Sequence, residues 1–374
     1  MKIKYYLSIS CVCIVWMTSA QTVSVRSVMQ PYVDRGDLPG IITVIADTEK
    51  VISMECFGYQ DIAKDRKMMP DALFWVASQT KSVTASAVMI LVDEGILDLD
   101  EPVTTYLPEL KRLMVARVSR EGWQALERLD KPITLRHLLS HTSGMAFLTG
   151  LQQQMNKIDA LPLDLSLYVT AMTPLLFDPG EKMSYSNQGI DIAGTVVERV
   201  SGMPFTDFVQ KRIFDPLDMK SATFWPTDKQ LEKLAAPYQM DENGKLVEIQ
   251  ITLLQYPLSD RSKRFANPGG GLFCTPSDFV KFYQMIANKG MFNGKRILSE
   301  TAVAEMGKKP ADFAWGLGWV VKDDELQHGG AAGTYGWINI KEGWIALYFI
   351  QQGGLPKHNE AIEAFYKTAS SIFQ

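Results

Sequence analysis

Apolar positions are spaced differently at the two ends of the chain and in its middle. Residues 41–59 read as two short strands around an Asp47-Thr48-Glu49-Lys50 turn, because β-branched and aromatic residues flank a polar tetrapeptide. From Phe313 onward the strand pattern returns, over 316–321, 333–340 and 344–351. Between these ends the spacing is helical. Val83, Ala87, Val88, Leu91 and Val92 make one apolar stripe, which predicts a helix over 81–94 with Gly95 at its C-cap. Two more helices are predicted over 190–199 and 276–289. The second opens on Thr275-Pro276-Ser277-Asp278, a cap followed by a first-turn proline and an acidic residue. A last helix covers roughly 359–373. This order predicts an α+β fold, with one sheet assembled from about 21–95 and 290–374 and a mostly helical lobe from about 96–289. A site would lie in the cleft between them. The charged segment 111–131 reads as a solvated excursion.

The first twenty residues change the picture. Lys2 and Lys4 precede an apolar run from Tyr5 to Met17, and Thr18-Ser19-Ala20 supplies small residues before Gln21. That order predicts a secretory signal over 1–20, too short for a comfortable membrane span, and a single exported domain over 21–374. Retention of the segment as an anchor is the open alternative. Of the four cysteines, Cys56 and Cys274 remain after cleavage; they could pair in an oxidising compartment or stay as buried free thiols. The chain of 374 residues is 46% hydrophobic, which is ample for one large core, and its net charge of −4 argues against a nucleic-acid partner.

Candidate chemistry sits at three places. In Ser78-Gln79-Thr80-Lys81 the serine and lysine are three apart, so on a helix they share a face. A serine hydroxyl needs a neighbouring base to act as a nucleophile, and a lysine in a dry site can serve. The strand-to-helix junction adds free amides able to hold an oxyanion. Tyr185-Ser186-Asn187 supplies a phenol that could act as base and an amide that could hold a substrate amide or Lys81; as a bare pattern it is also a turn with Asn187 capping a helix. His328-Gly329-Gly330-Ala331 places small residues where a substrate backbone could lie close, and His328 where it could meet a carboxylate or transition-state charge.

Together these elements resemble the β-lactamase-related serine hydrolases, a family spanning class C β-lactamases, D-alanyl-D-alanine carboxypeptidases, D-aminopeptidases and esterases. The likeness extends to Leu138-Leu139-Ser140-His141-Thr142-Ser143-Gly144, to Pro179-Gly180, and to the run from Gly269 to Asp278. The resemblance implies an antiparallel sheet flanked by helices, acylation of Ser78, and a proton shared by Lys81 and Tyr185. It places substrate against Asn187, His328 and Gly330, and an oxyanion between the backbone N–H groups of Ser78 and Ala331. One departure matters. The third element begins with histidine, which is largely neutral at pH 7, where a lysine would be a permanent cation. That disfavours an efficient β-lactamase. A D-amino-acid peptide of the kind found in the cell wall is the expected substrate, with a small ester or weak β-lactamase activity as the alternative. A non-catalytic penicillin-binding sensor is the rival of another class, which the intact Ser78, Lys81 and Tyr185 oppose.

Other constellations carry less. His137 and His141 lie four apart, but no Glu follows His137 to complete a zinc motif, and no cofactor or metal is expected. There is no Gly-x-Ser-x-Gly elbow. Trp315, Trp319, Trp337 and Trp344 read as core and cleft packing.

Overall fold

The computed structural model describes residues 24–118, 124–310, 312–351, 353 and 357–373, so the expected signal segment lies outside the described residues. Helix α1 (Val25–Asp34) leads into strands β1 (Gly40–Ala46), β2 (Val51–Asp61) and β3 (Arg66–Lys67), and the short β4 (Phe74–Trp75) delivers the chain to α2 (Thr80–Asp93). The middle holds the hairpin β5 (Met114–Val118) and β6 (Gln124–Arg128), then α3 (Leu135–Leu139), α4 (Gly150–Met155), α5 (Leu163–Ala171), α6 (Asn187–Ser201), α7 (Phe205–Val209) and α8 (Asp228–Leu231). A second hairpin, β7 (Tyr238–Met240) and β8 (Leu246–Glu248), precedes β9 (Phe273–Cys274) and α9 (Pro276–Ala287). The small pair β10 (Met291–Phe292) and β11 (Lys295–Arg296) and helix α10 (Glu300–Met306) follow. Strands β12 (Val320–Lys322), β13 (Glu325–Gly329), β14 (Tyr335–Asn339) and β15 (Ile345–Phe349) and helix α11 (His358–Ser371) complete the order.

The two ends meet in one antiparallel sheet of seven strands, in the order β12-β13-β14-β15-β1-β2-β3. Strand β1 is buried along its whole length. Successive side chains leave a strand on opposite faces, so Ile41 and Ile45 enter the cluster formed with α1 and α11. Ile42, Val44 and Ala46 enter the main core with α2, α6 and α9. The turn after β1 forms because Asp47 Oδ1 accepts the N–H groups of Glu49 and Lys50 at 2.8 Å each.

Three expectations change in detail. The stripe on α2 understates its burial, since Thr80 to Leu91 are all buried, polar residues included. Of the strand expected over 316–321, only the end pairs, as β12, because Gly318 spends its backbone elsewhere: its N–H donates to Leu139 O at 3.0 Å and its carbonyl accepts Ser82 Oγ at 2.8 Å. The charged 111–131 segment is not simply solvated. Val115 is buried, and the Met114 and Ala116 backbones bond Leu175 on either side. Among the described residues, Cys56 and Cys274 are both free and do not pair with each other. No described helix is long and apolar enough to cross a membrane.

Candidate active site

Ser78 occupies a single 3-10 turn, Ala77–Gln79, between β4 and α2. The turn is pinned from both sides. Strand β4 pairs with β9, Val76 N–H donates to Leu272 O at 3.0 Å, and Thr80 Oγ1 donates to Ala77 O at 2.6 Å while accepting Leu272 N–H at 3.2 Å. Ala77 is held at φ +49°, a left-handed conformation costing on the order of 1–3 kcal/mol for a non-glycine residue. That bend leaves Ser78 half-buried between fully buried neighbours.

Lys81 follows one turn later and is wholly buried. Its ammonium directs its three hydrogens to Ser78 Oγ (3.3 Å), Asn187 Oδ1 (2.5 Å) and the Gly269 carbonyl. It also lies 4.7 Å from the Tyr185 ring centroid, where the ring face attracts a cation. Burying an ammonium is costly unless it is paired and hydrogen-bonded, and every donor here has an acceptor.

The cap at the start of α6 explains why Asn187 is free to do this. Ser186, not Asn187, accepts the Gly189 N–H at 2.9 Å, which leaves the Asn187 amide for Lys81. The Tyr185 ring packs against His141 (4.5 Å between centroids), Trp315 (5.3 Å) and Phe147 (6.0 Å).

The segment after β13 lies alongside the Ser78 turn. A Cβ on Gly330 would stand 2.5 Å from Val76 O and 3.3 Å from the Ala77 Cβ, so only glycine allows the approach. Thr334 Oγ1 donates to Val76 O at 3.3 Å, and Ala331 is exposed at the tip of the loop. His328 is buried, with Nδ1 2.8 Å from the Gly329 carbonyl. A carbonyl only accepts, so Nδ1 carries the proton and Nε2 is a bare acceptor, buried without a partner among the described residues. Burial, helped by the Lys81 charge, holds the His328 pKa down to about 3, so the ring is neutral.

Ser78, Lys81, Tyr185, Asn187, His328 and Gly330 thus come together at one place. Three contributors were not read from the sequence as site residues. His141 is buried at φ +60°, its Nδ1 accepts the Ser186 N–H at 3.2 Å, and burial pushes its pKa well below the usual histidine value. Trp315 stands edge-on to both His141 (4.6 Å) and His328 (5.3 Å). Gly269 supplies an acceptor to Lys81 through a backbone carbonyl, which no side-chain pattern can announce. His137 belongs elsewhere, closing the capping box of α3 with Thr134.

A serine and a buried lysine at a helix start, faced by a Tyr-x-Asn turn and a His-x-Gly strand in this sheet, define a β-lactamase-fold serine hydrolase. The family described as Beta-lactamase matches residues 25–367, and the chain belongs to it. It is 30% identical over 353 residues to Protein Rv1367c of Mycobacterium tuberculosis (strain ATCC 25618 / H37Rv), covering 85% of this chain and 87% of that one. It is also 30% identical over 335 residues to Esterase EstB of Burkholderia gladioli, covering 81% of each. Among solved structures, EstCE1, described as a hydrolase with promiscuous acyltransferase activity, superposes with a TM-score of 0.77 at 22% identity. That match covers 91% of this chain and 97% of EstCE1, and shows a shared fold.

Proposed function

We propose that this protein is an exported hydrolase of small carboxylic esters working through an acyl-Ser78 intermediate. Ser78 Oγ attacks the carbonyl carbon, and its proton passes to the coupled Lys81/Tyr185 pair. The N–H groups of Ser78 and Ala331 hold the oxyanion, and the leaving alcohol takes the proton as the C–O bond breaks. Water then attacks the acyl carbon, the C–Oγ bond breaks as a proton returns to Ser78 Oγ, and the carboxylic acid leaves. The observation that carries the choice of ester is the neutral His328. Its Nε2 offers a lone pair where a lysine would offer a cation, so it suits a neutral or hydrogen-donating group better than a carboxylate. The similarity to Esterase EstB agrees with it. The D-amino-acid peptide expected from the sequence is the second reading, favoured by the presence of Asn187 in the Tyr-x-Asn element.

The test incubates mature protein with a fluorophosphonate and a fluorescent penicillin, beside turnover of p-nitrophenyl esters, nitrocefin and a D-Ala-D-Ala peptide. Ester turnover with fluorophosphonate labelling is expected, and Ser78→Ala should lower turnover by roughly 10⁴-fold or more. Absence of labelling at Ser78 would sink the acyl-enzyme reading. His328→Lys should cut ester turnover by about tenfold, the value of one hydrogen bond of about 1.4 kcal/mol, and raise penicillin labelling. Peptide turnover exceeding ester turnover would restore the D-peptide reading.

A further inference from the structure

Next to the reacting groups lies a buried carboxylate that acyl transfer does not use. Asp191 sits on α6, one turn after Asn187, and is 2% exposed. Asn267 Nδ2 donates to both of its oxygens at 2.9 Å, and Gly269 N–H donates to Oδ1 at 3.1 Å. Gly269 in turn presents its carbonyl to Lys81, and Asn187 from the same helix accepts another Lys81 hydrogen. One helix and one glycine turn therefore grip the ammonium, and Asp191 ties the two together.

Among the described residues, one cation acts on Asp191. Its direct donors are neutral: the Asn267 amide, the Gly269 N–H and the Gln152 amide of α4. The cation that acts on Asp191 is Lys81 of α2. Lys81 in turn faces Tyr185, Ser78 and the two neutral rings His141 and His328. Burial pushes the Asp191 pKa up to about 7, against the pull of its amide donors and of Lys81, so Asp191 is ionised above neutral pH, the range in which it can answer the Lys81 charge. A carboxylate and an ammonium in one dry interior are each costly alone and far less so together.

We propose that Asp191 is a positioning residue for Lys81: its carboxylate holds the Asn267–Gly269 turn against the ammonium and supplies the buried counter-charge that keeps Lys81 protonated in the resting site. The inference rests on Ser78 and Lys81 being the reacting pair, and its consequence is that the proton shared with Tyr185 resides on Lys81.

The direct readout is the side-chain nitrogen resonance of Lys81 in isotope-labelled protein, followed against pH in the Ser78→Ala background. Asp191→Asn removes the charge at nearly constant shape. Lys81 should then lose its proton at a pH lower by on the order of one unit. The rate of fluorophosphonate labelling, measured with Ser78 intact, should move along the pH axis and not merely fall. Asp191→Ser, whose hydroxyl can still accept the Gly269 N–H, should shift Lys81 in the same direction and covers the case in which the Asn variant does not fold. Lys81 titrations that superimpose on the parent would overturn the inference, even with slower labelling, because a scaffold alone changes amplitude. A shifted Lys81 in a protein whose Ser78 never labels would uphold it while defeating the acyl-enzyme reading.

Discussion

Helices α2 and α11 each run fourteen residues, yet they are held in opposite ways. Helix α11 buries Ala361, Phe365, Thr368 and Ala369, a stripe at helical spacing, and leaves Glu363 and Lys367 as an exposed ion pair at 2.6 Å. Helix α2 is buried from Thr80 to Leu91 although Lys81, Ser82, Thr84 and Ser86 are polar. Each of those has a partner: Ser82 Oγ donates to Gly318 O (2.8 Å), Thr84 Oγ1 to Pro268 O (2.7 Å) and Ser86 Oγ to Ser82 O (2.9 Å). Buried polar groups demand such partners, and most of these come from segments far along the chain. The packing helix is secured by apolar area, and the helix that follows Ser78 by contacts that also build the candidate site.

That contrast can be broken from either side. The largest stability loss is expected from Phe365→Ala on α11, about 3–5 kcal/mol in urea unfolding, with kcat for an ester at the parent value wherever the variant is folded. A large fall in kcat would show that α11 shapes the site as well. Thr84→Val on α2 should cost less, about 1–3 kcal/mol, because it leaves the buried Pro268 carbonyl without its donor. It should nevertheless lower kcat more than Phe365→Ala does, since the Pro268–Gly269 turn is what meets Lys81. If kcat were unaffected, the polar burial of α2 would be structural only. The smallest effect belongs to Lys367→Ala, within about 0.5 kcal/mol, because a fully solvated ion pair contributes little.

Much of the fold was legible because local physics dictates it. The Asp47 turn, the first-turn Pro276 of α9 and the positive-φ glycine after α2, Gly95 at +69°, all follow from residues acting on their own neighbours, although Thr275 makes no side-chain cap to α9. The candidate site was legible where side chains carry it, in that Ser78, Lys81, Tyr185, Asn187 and His328 come together in the structure. It was not legible where backbone does. The Gly269 carbonyl reads in sequence as part of a glycine-rich turn, and 316–321 looks like a strand until Gly318 is seen pressed onto α2, where a Cβ would stand 2.5 Å from the Ala85 Cβ.

The sequence by itself determined the elements, their order, and which side chains could do chemistry, since propensity, capping and periodicity act over a few residues. Only the tertiary structure decided what those side chains are chemically. Its packing buried Lys81 among three acceptors, set Asp191 near it as the answering charge, and dried the surroundings of His328 until the ring became a neutral acceptor. Charge state depends on burial and on neighbours more than a hundred residues away, and these no local pattern records.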